Sequence, residues 1–169
     1  MQSVSFSINS LKEFSKKRNE PQWLFEYRKK NEEFFELEKI KKSPYYDLSV
    51  AKKLLITPAG IKSVLPDGIE KDGVKVFSWE TALKKFEKQI KQALESEIEP
   101  KDQFEAFINA WFNDGFVLVV ESTAVKEVIV FESVFESTNV AKILVIVQGT
   151  AGEIKILEKV RGKERLLLN

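Results

Sequence analysis

The sequence predicts an α+β protein, with an N-terminal helical region over residues 1–115 and a strand-rich region over 116–169. Two observations predict it. Up to Gly115 the apolar residues recur at three- and four-residue spacing, the period of amphipathic helices. Beyond Gly115 the chain turns to runs rich in Val, Ile and Phe, parted by turn residues. Helices come first and strands second, without regular βα alternation.

Taken in order, Ser10 and Glu13 form a capping-box pattern that opens a short helix from Leu11 to about Arg18. Pro21 suits the first position of a second helix, running to about Ile40 with Trp23, Leu24, Tyr27, Phe34 and Phe35 as its apolar stripe. A third, shorter helix is expected after Asp47, and a linker over about 56–73, where Pro58, Gly60, Pro66, Asp67-Gly68 and Asp72-Gly73 cluster. Val74–Phe77 reads as a short strand. Ser78 then caps a long helix with Trp79, Ala82, Leu83, Phe86, Ile90, Ala93 and Leu94 on one face. Asp102 and Glu105 open a last helix carrying Phe104, Phe107, Ile108, Trp111 and Phe112, which Asn113-Asp114-Gly115 stops. Strands are expected at Phe116–Glu121, Lys126–Phe135, Asn139–Gln148 and Glu153–Val160, with Arg161-Gly162-Lys163 turning the chain toward Leu166–Leu168. Val117–Val120, Val128–Phe131 and Ile143–Val147 are apolar without alternation, which predicts strands covered on both faces or stacked in a solenoid.

The chain of 169 residues is 43% hydrophobic and 31% charged, enough to bury a core. Its net charge of +1, from 27 basic and 26 acidic residues, gives no general pull toward nucleic acid or an anionic membrane. There is no Cys and no His, so disulfides, thiolate or imidazole metal sites and Cys or Ser-His nucleophiles are excluded within this chain. Gly162-Lys163 is followed by Glu164 and lacks the upstream glycine of a phosphate-binding loop. Strand glutamates such as Glu121, Glu132 and Glu136 read as solvated sheet positions, and no catalytic residue is assigned. The basic clusters around Lys16, Arg28 and Lys39 are interleaved with Glu and read as solvated helix faces. Trp23, Trp79 and Trp111 read as core. No run of about 18 apolar residues is present, and Met1–Ser10 has neither a basic start nor an apolar core, so the cytoplasm is the expected location.

Arg28 and Asn31 fall on the apolar stripe of the second helix. One reading satisfies them with helix ends or acids inside the fold; the other leaves them as contacts for another subunit.

Several stretches together resemble the SufB/SufD family. Asn19-Glu20-Pro21-Gln22-Trp23-Leu24 with Arg28 is similar to the family's N-E-P-x-W-[LM]-x-x-x-R signature. Gly73–Phe77 leading into Trp79–Leu83 resembles its approach to a helix, and Phe104–Gly115 resembles its F-x-A-L-N-x-A-x-x-x-D-G helix. The strands from Phe116 onward, with Lys142–Val147 and Gly149–Glu158, resemble the first turns of its β-helix. The resemblance spans nearly all of the chain and is slightly closer to SufD than to SufB.

The resemblance implies the N-terminal portion of a cytosolic iron–sulfur cluster assembly scaffold subunit: helices followed by the first coils of a right-handed parallel β-helix. It implies a non-catalytic subunit or fragment acting through architecture and partner contacts, alongside a SufB/SufD-like subunit and a SufC-like ATPase. The alternative is an autonomous protein-interaction module of the same fold. The family's cluster-related Cys, His and Glu positions and its ATPase-docking helices have no counterpart here, so none is carried over. No cofactor is expected on this chain alone, the iron–sulfur cluster being reached only through partner subunits. Ile143, Val145 and Val147 are the expected contacts for self-association through the C-terminal strands; closure of the strands as an antiparallel hairpin at Arg161-Gly162-Lys163 would lower that drive.

Overall fold

A computed structural model describes residues 7–35, 63–64, 69–71, 73–96, 99–121, 128–135, 139–149, 155–162 and 166–168. Helix α1 (Ile8–Lys17) begins about one turn earlier than the sequence pattern predicts, because Ser7 caps it: its Oγ accepts from the Ser10 backbone N–H at 3.2 Å. Asn19 then adopts φ +52°, a left-handed conformation that Asn tolerates better than most residues. This bend delivers Pro21 to the N-cap of α2 (Gln22–Phe34).

The second helix stops at Phe34, short of the expected Ile40. Phe35 leaves the helix in an extended conformation and packs its ring 5.3 Å from that of Phe107. The helix expected after Asp47 lies outside the described residues. Within the span read as a linker, two short strands form instead: β1 (Ser63–Val64) and β2 (Ile69–Lys71). Strand β2 pairs antiparallel with β3 (Val74–Ser78), and Gly73 turns the chain between them at φ +76°.

Helix α3 (Trp79–Ser96) follows β3 directly, with Ser78 accepting from the Thr81 N–H at its start. It kinks at Phe86, and Trp79, Ala82, Ile90 and Leu94 are buried as their spacing predicts. Asp102 caps α4 (Gln103–Trp111) by accepting from the Phe104 and Glu105 N–H groups. Glu105 reaches back to the Lys101 N–H at 2.8 Å.

Five further strands follow: β4 (Asp114–Glu121), β5 (Val128–Phe135), β6 (Asn139–Gln148), β7 (Lys155–Gly162) and β8 (Leu166–Leu168). They alternate between two sheets. One sheet has the order β2-β3-β4-β6-β8 and the other β1-β5-β7. Strand β3 runs antiparallel to β4 and β1 to β5, whereas β4, β6 and β8 are parallel, as are β5 and β7. The offset between parallel partners is constant: Asp114 pairs with Ala141, Val128 with Lys155, and Asn139 with Leu166, 27 residues on each time. Strands β7 and β8 belong to different sheets, so they are not the paired arms of the hairpin expected around Arg161-Gly162-Lys163, of which Lys163 lies outside the described residues.

The helices cover one face of the larger sheet. Leu11, Leu24, Phe107 and Trp111 pack there with Val117, Val119, Val140 and Ile146. On the opposite face Val74, Val76, Phe116, Leu118 and Val120 form a second buried cluster, with Ile143 packed at its side. Among the described residues no helix is long and apolar enough to cross a membrane.

Candidate functional site

Polar side chains converge where α2, α4 and the start of β6 meet. Arg28 has no exposed surface. Its Nε and Nη2 donate to the two carboxylate oxygens of Glu20, each at 2.8 Å, and its Nη1 donates to the Ala110 carbonyl at 2.8 Å. That carbonyl belongs to the last turn of α4, where backbone acceptors lack helical partners and cations are favoured. Arg18 completes the arrangement, donating to Glu20 at 3.0 Å and to the Asn113 carbonyl at 2.9 Å. The Arg28 guanidinium also lies 3.9 Å from the centroid of Phe112. Burial draws its pKa below the ordinary value, and Glu20 opposes that shift; the fork stays charged at neutral pH.

A second network adjoins the first. Asn31 accepts from Asn109 Nδ2 at 3.2 Å and donates to the Tyr27 carbonyl. Asn109 in turn accepts from Lys142 Nζ at 2.7 Å, and the same ammonium donates to the Tyr27 hydroxyl at 3.1 Å. The Trp79 indole donates to the Lys142 carbonyl at 2.7 Å, so four elements are tied at one residue. Gly115 makes this approach feasible. It pairs with Lys142 in the parallel ladder at φ +117°, and a Cβ there would fall 1.9 Å from the Lys142 carbonyl oxygen. Asn113 extends the same ladder, donating its N–H to the Val140 carbonyl and accepting the Val140 N–H on its side chain.

Beside this junction lies a cleft of about 420 Å³. Trp23, Glu26, Tyr27 and Lys30 from α2 form one wall; Leu94, Glu95, Glu99 and Pro100 form the other, and Asn31 and Asn109 lie at its base. The volume falls within the range typical of ligand sites. Its described lining residues offer charge, aromatic surface and amide groups for recognition. Among the described residues no group of three or more Asp and Glu side chains is placed to hold a metal ion.

The structure divides the expected partner contacts. Arg28 and Asn31 are buried, with their polar atoms engaged inside the chain. Ile143 is half-buried against the second cluster, whereas Val145 and Val147 are 43% and 51% exposed. Trp79 and Trp111 are core; Trp23 is half-buried, packed against the core cluster, and donates to Glu87 at 2.7 Å. The cleft itself escaped sequence reading. Its available signal was the run Trp23, Glu26, Tyr27, Lys30 at helical spacing on α2. Lys142 gave no signal beyond standing against an apolar run.

No known family model and no curated protein matches the chain.

Proposed function

We propose that this chain is a non-catalytic, SufB/SufD-like component of an iron–sulfur cluster assembly scaffold, nearer to SufD, acting in the cytoplasm through its architecture and its partner contacts. The observation that carries the reading is the constant offset of 27 residues between parallel strands that alternate between two sheets. A chain wound in successive coils produces that relation, and the proposed fold is the beginning of a right-handed parallel β-helix behind a helical region. Motif residues of the resemblance have matching physical roles. Asn19 makes the left-handed bend, Glu20 and Arg28 form the buried pair, and Gly115 accommodates the neighbouring strand.

On this reading the partners are a SufB/SufD-like subunit and a SufC-like ATPase, and the iron–sulfur cluster is cargo held by partner subunits. Carboxylates are poor ligands for such clusters beside thiolates and imidazoles, and this chain has neither Cys nor His. Nucleic acid and membrane have no part in it. Self-association through β6 and β7 is also proposed, supported by the exposed Val145, Val147 and Leu157.

The test is copurification from the native host with tagged chain. Recovery of a SufC-like ATPase with a SufB-like subunit is the expected result. Recovery only of partners unrelated to cluster assembly would overturn the proposal in favour of an autonomous interaction module.

A further inference from the structure

The cleft between α2 and α3 has an electrostatic division that identifies a ligand class. Its rim carries Glu26, Glu95 and Glu99 against Lys30, and the indole of lining residue Trp23 donates to Glu87. Glu26 accepts from neutral Gln22, and Glu95 lies 3.7 Å from exposed Lys91, a pairing that water and salt readily weaken. The rim therefore favours a cation, and Trp23 and Tyr27 supply aromatic surface beside it. The base has the opposite character. Asn31 and Asn109 are only 4% and 3% exposed. Each amide nitrogen donates one of its two N–H groups, to the Tyr27 carbonyl and to Asn31 respectively. The second N–H of each remains to donate. Leu94 and Pro100 add apolar surface to the lining.

A ligand that fits has an acceptor for the base, an apolar body, and a cation for the rim. We propose that this cleft binds a basic peptide segment of a partner protein, with a backbone carbonyl accepting from the buried asparagines and a Lys or Arg side chain at the glutamate rim. The proposal stands independently of the scaffold reading, since it uses only the cleft.

The test is a titration of the whole ¹⁵N-labelled chain, in low salt, with a capped pentapeptide alternating Lys and Leu. The three indole N–H resonances are read, with Trp23 assigned from Trp23→Phe. The expected result is a saturable shift of the Trp23 resonance, with those of Trp79 and Trp111 unmoved. A chain carrying Glu26→Gln, Glu95→Gln and Glu99→Gln should bind about tenfold more weakly, each exposed charge contributing a factor of roughly two. These residues lie at the surface, so the substituted chain is expected to remain folded, which its unchanged Trp79 and Trp111 resonances would verify. Spermidine, a cation without a carbonyl, should bind at least several-fold more weakly than the peptide. The proposal is overturned by absence of a saturable shift, by equal binding of the corresponding Glu and Leu peptide, by undiminished affinity of the triple variant, or by spermidine matching the peptide.

Discussion

Strands β4 and β6 lie side by side in one sheet, run parallel, and carry similar apolar, Val-rich sequences. Their surroundings differ. In β4, Val117, Leu118, Val119 and Val120 are all fully buried, alternating between the helix-covered face and the second cluster. In β6, Ile146 faces the helices and is buried, while Val145 and Val147, which pair with Leu118 and Val120, are largely exposed. The difference follows from position. Strand β4 has a neighbour along its whole length on one side and β3 along much of the other, whereas β8 meets β6 only at Asn139–Ala141. An apolar run thus fixes a strand's composition without fixing how many of its faces are covered.

The strongest break in this comparison is at the junction that anchors β6 to β4. Replacing Gly115 by Ala adds a Cβ against the Lys142 carbonyl at a φ that L side chains rarely adopt. The backbone must move, and the expected loss is at least about 3 kcal/mol. Urea unfolding checks it; a loss below about 1 kcal/mol would show that the two strands separate easily there.

Arg28→Ala comes next and tests whether the helical side is equally demanding. It leaves Glu20 buried with Arg18 as its remaining ionic partner, and uncaps the Ala110 carbonyl. Breaking a buried pair in this way costs about 3–5 kcal/mol. Arg28→Lys keeps the charge but loses the two-pronged contact, so its expected cost is smaller and still above about 1 kcal/mol. Equal stability of the native chain and the Lys variant would mean that charge alone holds the junction.

Paired substitutions sharpen the strand comparison directly. Val119→Ala removes two buried carbons and should cost about 2 kcal/mol. Val147→Ala, on the half-exposed strand, should cost less than about 1 kcal/mol. If the two losses were equal in a chain whose oligomeric state had been checked by light scattering, β6 would be covered in solution, which the proposed self-association supplies.

Much of this was legible in the sequence because it rests on local rules. The spacing of Trp79, Ala82, Ile90 and Leu94, and the cap at Asp102, depend on neighbouring residues and on burial of one stripe. The limits of α1 and α2 were less so: Ser7 competed successfully with Ser10 as the cap, and Phe35 left its helix to reach Phe107. The junction was half visible. Arg28 and Asn31 stood out as polar residues on an apolar stripe, but their partners Ala110 and Asn109, and Lys142 bonded in turn to Asn109, are distant in sequence and could not be paired with them by periodicity. For the cleft, the spacing of Trp23, Glu26, Tyr27 and Lys30 marked one wall, but the approach of α2 to the end of α3 that completes it is a tertiary fact with no local mark.

Glu32 gives the smallest expected effect and probes the same helical side through protons. It is buried on α2 and accepts from the Trp111 indole of α4. Burial raises its pKa above the ordinary carboxylate value, and the indole hydrogen bond pulls in the opposite direction without cancelling it. The fold therefore favours the protonated acid more than the unfolded chain does. Its contribution to stability is fully present below the ordinary carboxylate value and is lost as pH rises through the raised one. Glu32→Gln keeps an acceptor for Trp111 and never ionises. The difference in unfolding free energy between native and Gln chains should move in favour of Gln as pH rises from acid to neutral. Urea unfolding across that range, followed by Trp fluorescence, measures the difference with the other carboxylates common to both chains. A difference that stays flat with pH would mean that Glu32 ionises as readily in the fold as outside it, and that the helical junction tolerates a buried charge.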